Sequence, residues 1–112
     1  MAWGERSFPT LFGVMEKASP KFEVEPVDGI LGLGYPALTC TPTCIEPVLD
    51  AMARNLTMKK IFQICMTVDS GRIVIGDFDS ALGKTNPVWV PMELNHPPDY
   101  YNVRLVGELL VN

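Results

Sequence analysis

The clearest periodic pattern in the chain is a helical one. Residues 44–56 repeat apolar side chains at the spacing of one helix face. That face consists of Ile45, Val48, Leu49, Met52 and Leu56. Glu46 and Asp50 fall in the N-terminal half and Arg54 near the C-terminal end, an order that the helix dipole favours. This segment is therefore predicted to be the one clear helix.

Two runs of β-forming residues, 61–68 and 71–79, lie close together in the chain. Between them stands the triplet Asp69-Ser70-Gly71, whose residue types are common in turns. Because both flanks are apolar, the pattern predicts a β-hairpin with this triplet at its tip.

The rest of the chain is also patterned as short extended segments. Residues 27–38 form an apolar run that carries glycines at 29, 32 and 34, which indicates close approach of backbones rather than an ordinary strand. Residues 19–26 alternate apolar and charged positions and are predicted to be a half-exposed strand or an extended loop. Further strands are predicted at 8–17, 87–94 and 100–111. The expected fold class is mainly β with one clear short helix.

Composition limits the classes of function. With 112 residues, 47% hydrophobic and 20% charged, the chain has the material for one packed domain or for part of a larger one. A net charge of −4 and the lack of a basic run argue against a nucleic-acid partner. No apolar run approaches the roughly 20 residues of a membrane span. The first ten residues lack the pattern of a signal peptide, so any such signal of a parent protein is expected outside this chain.

The three cysteines leave two structures open. Cys40 and Cys44, in TCTPTC, form either a small disulfide-closed loop or a pair of buried thiols, and Cys65 is left over. No zinc site or other metal or cofactor is expected, because the only histidine, His96, lies far along the chain beside two prolines. Asn55 begins the sequon Asn-Leu-Thr and is a possible glycosylation site, but it also stands where a helix would take a left-handed cap.

Asp69 raises the question of catalysis, because aspartic proteases present a catalytic carboxylate in an Asp-Ser-Gly or Asp-Thr-Gly triplet. A homodimeric protease of the retroviral type, with one such aspartate per copy, is one hypothesis. Two features oppose it. Arg72 follows the triplet where a small residue is usual, and Ile30-Leu31-Gly32, the candidate for the segment threaded beneath the site, comes before the triplet instead of after it. Asp69 is therefore interpreted as a turn residue.

Five segments, taken in order, resemble pepsin-like aspartic proteases. VDGILGLGYPAL at 27–38 resembles the segment that follows the active-site flap in that family, and LFGVMEK before it resembles the preceding strand. The later segments look like the family's helix, hairpin and Trp-Val-Pro strand. They read PVLDAMARNLTMKKIF, SGRIVIGDFDSAL and VWVPMELNHPPDYYNVRL. The resemblance spans about residues 11 to 112.

The resemblance implies part of a bilobal acid protease. Residues 1–85 would be the remainder of the N-terminal lobe, and 86–112 the inter-lobe strand and the start of the C-terminal lobe. In the family the first catalytic triplet and the flap tyrosine precede the glycine-rich segment, and the second triplet follows the last strand seen here. The chain is therefore expected to be a segment of an aspartic-type endopeptidase that lacks both catalytic motifs and is inactive alone. A truncated, non-catalytic relative that binds peptides or a partner is the alternative.

The resemblance also implies roles for individual residues and for the parent protein. Val27, Ile30 and Phe22 match positions that line substrate pockets, and Tyr100 matches a residue on the primed side of the cleft. Gly29 and Gly32 would have the structural role of permitting a threaded backbone. The alternative for the four pocket residues is core packing. Tyr101 stands where the family usually has tryptophan. The parent enzyme is expected to be secreted or lysosomal/vesicular, with peptide or protein substrates and the remainder of the protease chain as partners.

Overall fold

The computed structural model describes residues 1–24, 26–83 and 85–107. Its regular elements are short and are joined by extended connections. The strands are β1 (Ala2–Trp3), β2 (Arg6–Ser7), β3 (Phe62–Met66) and β4 (Gly71–Ile75), and the α-helices are α1 (Pro20–Glu23) and α2 (Val48–Leu56). Two single 3₁₀ turns lie at Pro36–Thr39 and Ser80–Leu82. The expected mainly-β class with one clear helix is confirmed, and it fits a segment of a pepsin-like fold.

Helix α2 forms where the apolar periodicity predicts it, but it begins at Val48 and not at residue 44. Pro47 precedes the helix in an extended conformation and is the last residue of the non-helical stretch that follows Cys44. The helix ends at Thr57, which adopts the left-handed conformation (φ 53°, ψ 48°) and donates its N–H to the carbonyl of Ala53. The prediction that Asn55 provides the left-handed cap is therefore wrong by two positions.

The predicted hairpin is confirmed. Strands β3 and β4 pair antiparallel from Phe62 opposite Ile75 to Met66 opposite Gly71. The loop between them is closed by the N–H of Thr67, which donates to the carbonyl of Ser70 at 2.8 Å. Asp69 lies in this exposed loop, as its turn chemistry indicates.

The core is small and lies where α2 meets the hairpin. Its buried side chains are Phe8, Leu49, Ala51, Met52 and Ile75. Half-buried apolar side chains surround them: Trp3, Val48, Leu56, Met58 and Phe62. Phe8 is held in place because its backbone N–H and C=O both pair with Met1, each at 2.9 Å. The short β1–β2 hairpin thus brings a third element onto the helix.

Several predicted strands are wrong. Among the described residues, 8–17, 87–94 and 100–107 contain no β-strand, although the N–H of Glu93 donates to the carbonyl of Asn102 at 2.8 Å; 108–111 lie outside the described residues. The reason is physical, since a strand exists only with a partner. The side chains of Leu11 and Phe12 are 76% and 84% exposed, so no described element packs over them.

The segment 19–26 was predicted as a half-exposed strand or an extended loop, and this prediction is also wrong. It contains the four-residue helix α1. Ser19 is extended and Pro20 stands at the first helical turn, the position at which the fixed φ of proline favours a helix. The alternation of Phe22 and Val24 with charged residues therefore does not mark a strand, and both side chains are exposed.

Of the two alternatives for Cys40 and Cys44, the disulfide is the one that forms. Both half-cystines are exposed, so they are not buried thiols. The Thr39 hydroxyl contacts the carbonyls of Pro36 and Ile45, at 2.7 and 2.5 Å, and braces the loop from within. Cys65 is free and half-buried, with its Sγ 3.5 Å from the carbonyl oxygen of Leu82.

Gly76 provides a test of this packing. It has a φ of +87°, and a Cβ built on it would lie 2.3 Å from the Met58 side chain. Gly76→Ala should lower the free energy of unfolding by about 1–3 kcal/mol, because both the left-handed backbone and the contact with Met58 oppose a side chain. Gly13→Ala is the matched control, since a Cβ there meets nothing within 4 Å. Equal urea midpoints for Gly76→Ala and Gly13→Ala would contradict the close packing of Gly76 against Met58.

Candidate functional site

The C-terminal described segment meets the helix–hairpin unit through aromatic side chains. The ring of Tyr101 lies 4.8 Å from that of Tyr35 and 5.4 Å from that of Phe62, measured between centroids. Trp89 packs edge-on against Phe78 at 5.8 Å. Such pairs add about 0.5–1.5 kcal/mol each beyond the area that they bury. Aromatic contacts therefore join Trp89 and Tyr101 to residues in and next to the β3–β4 hairpin and to Tyr35.

These contacts leave a cavity of about 410 Å³, which we name the aromatic cavity. Its walls are apolar and aromatic: Tyr35, Leu49, Phe62, Phe78, Trp89, Met92 and Tyr101. Lys60 and Asp50 also line it and form an ion pair. The cavity thus combines an apolar body with a few charged groups, which is the usual make-up of a site for an apolar side chain or small molecule.

A second cavity, of about 560 Å³, lies on the other side of the N-terminal end of α2, and we name it the Ile30 cavity. It is formed by the runs 10–13, 30–32 and 45–48, together with Thr39 and Met1. Ile30 is 70% exposed within it. The disulfide loop borders this cavity through Thr39 and Ile45, so the bridge at Cys40 helps to shape its wall.

The four predicted pocket residues do not meet around one cavity. Ile30 lines the second cavity, whereas Phe22, Val27 and Tyr100 line neither of the two. All four are accessible, with exposed fractions of 45% for Phe22, 55% for Val27, 70% for Ile30 and 59% for Tyr100. They are therefore not core residues within the described part of the chain, and their role in binding substrate stays a prediction.

Tyr100 is held by its neighbours and not by packing of its ring. Its backbone N–H donates to the Asp99 carboxylate at 2.6 Å, and Asn95 donates to both oxygens of the same carboxylate at 3.0 and 2.8 Å. These bonds lower the pKa of Asp99, the Asn95 side chain contributing most and the Tyr100 N–H next. The charged form of Asp99 is thereby favoured, so this loop keeps its bonds further into acid than an ordinary aspartate would allow.

The remaining predicted residues have mixed surroundings. A Cβ at Gly29 or Gly32 would meet nothing within 4 Å, so their structural role in a threaded backbone stays a prediction. The Asn55 amide, the atom that glycosylation would modify, donates to the Ala51 carbonyl at 2.7 Å, and its modification also stays a prediction.

Arg54 and Glu46, which borders the Ile30 cavity, form an exposed ion pair. Arg54 binds Glu46 through two nitrogens at 2.9 and 2.7 Å, which lowers the pKa of Glu46 and raises that of Arg54. The described residues hold no cluster of three or more metal-ligating side chains. Over the same residues, no helix is long and apolar enough to cross a membrane.

Sequence reasoning missed the aromatic cluster of Tyr35, Phe62 and Tyr101. Tyr35 and Tyr101 are separated by 66 positions, and neither belongs to a periodic run that would mark it as packed. The one available signal of packing was at Tyr101. The family usually has tryptophan at this position, and tyrosine keeps a large ring there.

The family model described as eukaryotic aspartyl protease matches residues 9–110. The chain therefore belongs to the aspartyl protease family, and the pepsin-like resemblance is confirmed.

The relatives include cathepsins E and pepsin A. The chain is 39% identical to cathepsin E of Aquarana catesbeiana over 77 residues, which is 63% of this chain and 19% of that protein. It is 35% identical to cathepsin E-A of Xenopus laevis over 97 residues (74% and 22%) and 34% identical to pepsin A of Canis lupus familiaris over 89 residues (75% and 22%). The matched part thus spans about a fifth of the length of these relatives. No solved structure matches the chain.

The Asn95–Asp99 contact yields a prediction about pH. In Asn95→Ala the pKa of Asp99 should rise towards its ordinary value, because the largest cause of its lowering is removed. A lowered folded pKa stabilises the fold above the ordinary pKa of aspartate, and this contribution is lost as the pH falls through the folded pKa. The variant should therefore lose the bond to the Tyr100 N–H at a higher pH than wild type. A carboxyl-carbon NMR titration measures this directly, and identical Asp99 curves would contradict it.

Proposed function

We propose that this chain is the segment of a pepsin-like aspartic endopeptidase that lies between the two catalytic motifs. It would contribute cleft wall and structural support but not the reacting carboxylates. The observation that carries this proposal is the family match over 9–110 in a chain whose sequence has no Asp-Thr-Gly triplet. Hydrolysis by this mechanism needs two carboxylates that share one proton, so the dyad would come from the rest of the enzyme.

The position of Asp69 supports this assignment. A carboxylate of such a dyad has to lie against a second carboxylate, but Asp69 occupies an exposed loop between β3 and β4. Its neighbours Thr67 and Ser70 bond to each other through their hydroxyl groups at 2.9 Å and give the loop its shape. Asp69 is thus proposed to have a turn function only.

Accessibility supports the proposed substrate contacts. Phe22, Val27, Ile30 and Tyr100 are between 45% and 70% exposed, which side chains of an open cleft wall must be before substrate binds. Such a wall would prefer peptide or protein substrates with apolar side chains at the scissile bond. Gly29 and Gly32 would allow the backbone of that wall to thread beneath the catalytic loops of the complete enzyme.

Exposed apolar side chains support a partner role for the remainder of the protease. Phe12, Val14, Val88 and Trp89 are 78% to 87% exposed, and large exposed apolar side chains are typical of surfaces that another part of a protein covers. We propose that the other parts of the two lobes cover them, with 1–85 in the N-terminal lobe and 86–112 starting the second. The Cys40–Cys44 disulfide supports a secreted or lysosomal/vesicular compartment for the parent enzyme.

The alternative, a truncated relative that binds peptides without cleaving them, is favoured by one observation. The two cavities of about 410 and 560 Å³ exist in this chain by itself, and both fall in the size range of ligand sites. Titration of the 112-residue chain with an apolar peptide tests this alternative. If it is right, the chain binds the peptide and does not cleave it.

A peptidase assay on the complete protein tests the main proposal. Wild type should cleave a fluorogenic peptide with apolar residues at the scissile bond in acid, and Asp69→Asn should keep kcat/KM within about twofold, because a turn aspartate takes no part in proton transfer. Glu16→Gln, which removes the charge of an exposed carboxylate outside both cavities, is the control. A loss of 100-fold or more in Asp69→Asn alone would show that Asp69 is catalytic.

A further inference from the structure

Tyr101 makes a contact that joins two distant parts of the chain. Its hydroxyl donates to the backbone carbonyl of Leu33 at 2.6 Å, across 68 positions of sequence. Close by, the backbone N–H of Tyr35 donates to the carbonyl of Asp99 at 3.2 Å. Two hydrogen bonds therefore run between the same two segments, the glycine-rich segment 27–38 and the segment 99–102.

The ring of Tyr101 is held on two sides while its hydroxyl makes this bond. Tyr35 packs against it at a tilt of 39°, and Phe62 meets it at 77°, nearly edge-on. Burial by these neighbours raises the pKa of Tyr101, and the nearby Tyr35 and Asp50 raise it further. The phenol thus keeps its proton and remains a donor to Leu33 over the whole working range of an acid or neutral enzyme.

The two joined segments are those that carry predicted substrate contacts. Ile30 lies three positions before Leu33, and Tyr100 immediately precedes Tyr101. The chain bends at Tyr100, and the N–H of Asn102 donates to the carbonyl of Tyr100 at 3.1 Å. With Tyr101 turned towards the glycine-rich segment, Tyr100 is left 59% exposed.

We propose that Tyr101 is a positioning residue: through its bond to Leu33 it fixes Tyr100 relative to Ile30 and so sets the spacing between two walls of the substrate cleft. The part of this inference that concerns the substrate cleft rests on the proposed endopeptidase function. The Asp99 carboxylate completes the arrangement, because it binds the Tyr100 N–H and orients the same residue from the other side.

Amide hydrogen exchange in the 112-residue chain tests whether the Tyr101 hydroxyl holds the two segments together. Tyr101→Phe keeps the ring and removes the hydroxyl, so exchange at the amide of residue 35 should become several-fold faster as the two segments separate more often. Tyr35→Phe is the matched control, since it removes a hydroxyl from the facing ring without touching the Leu33 bond. The amide of Gly76, bonded to Ile61 at 2.8 Å, reports global stability and should not change. Unchanged exchange at residue 35 in Tyr101→Phe would overturn the proposal.

Kinetics of the complete protein test whether Tyr101 sets the spacing of the substrate cleft. Tyr101→Phe should raise KM roughly 2- to 10-fold, the net worth of one hydrogen bond, with kcat unchanged, for peptides that carry a large apolar residue on the primed side. Peptides cut short before that residue should show no such rise. Equal KM values for wild type and variant on the longer peptide would overturn the positioning role. A complete protein that cleaves no peptide in any variant would instead refute the proposed function, and residue 35 exchange would still decide whether Tyr101 joins the segments.

Discussion

Packing of one helix face against one hairpin determines the rest of this structure. Leu49 and Met52 of α2 are buried together with Ile75 of β4, and Phe8 completes the same core. No other buried apolar cluster of comparable size occurs among the described residues. At about 25 cal/mol per Å² of apolar surface removed from water, a core this small stabilises only what touches it directly. The extended segments on either side consequently run over the surface with their apolar side chains accessible.

The functional surfaces depend on that core through a few aromatic contacts. Phe62, at the start of β3, is half-buried against the core and also touches the ring of Tyr101. Through Tyr101 and Phe62, the glycine-rich segment and the segment around Tyr100 are thereby both attached to the helix–hairpin core. Under the proposed function, this attachment would give substrate-contacting loops a fixed frame while they stay exposed.

Local features of the sequence predicted the helix and the hairpin, because their signals lie within about ten residues. The apolar spacing of Leu49, Met52 and Leu56 requires no knowledge of the partner, and the Asp69-Ser70-Gly71 triplet forms a turn for local steric reasons. The strands predicted at 8–17 and 87–94 do not form, because pairing depends on residues far away in the chain. The resemblance to pepsin-like proteases also implied strands there, and the described residues form none at these positions.

The candidate site was predicted only in part. Exposure of Val27, Ile30 and Tyr100 agrees with a cleft wall, but their convergence on one surface is not visible in the described residues. The aromatic contact of Tyr101 with Tyr35 was missed because long-range ring packing leaves no periodic signal. The Cys40–Cys44 disulfide stayed an open alternative because a Cys-x-x-x-Cys spacing also suits two free thiols.

Hydrogen exchange mapped by mass spectrometry across all 112 residues is the most direct test of the central claim, that the α2–hairpin core organises an otherwise uncovered apolar surface. Peptides from 48–56, 62–66 and 71–75 should be the most protected, and those from 9–18 and 86–98 should exchange within seconds. Protection of 9–18 or 86–98 equal to that of α2 would contradict the account, because it would mean that a second core holds segments that the structure leaves on the surface.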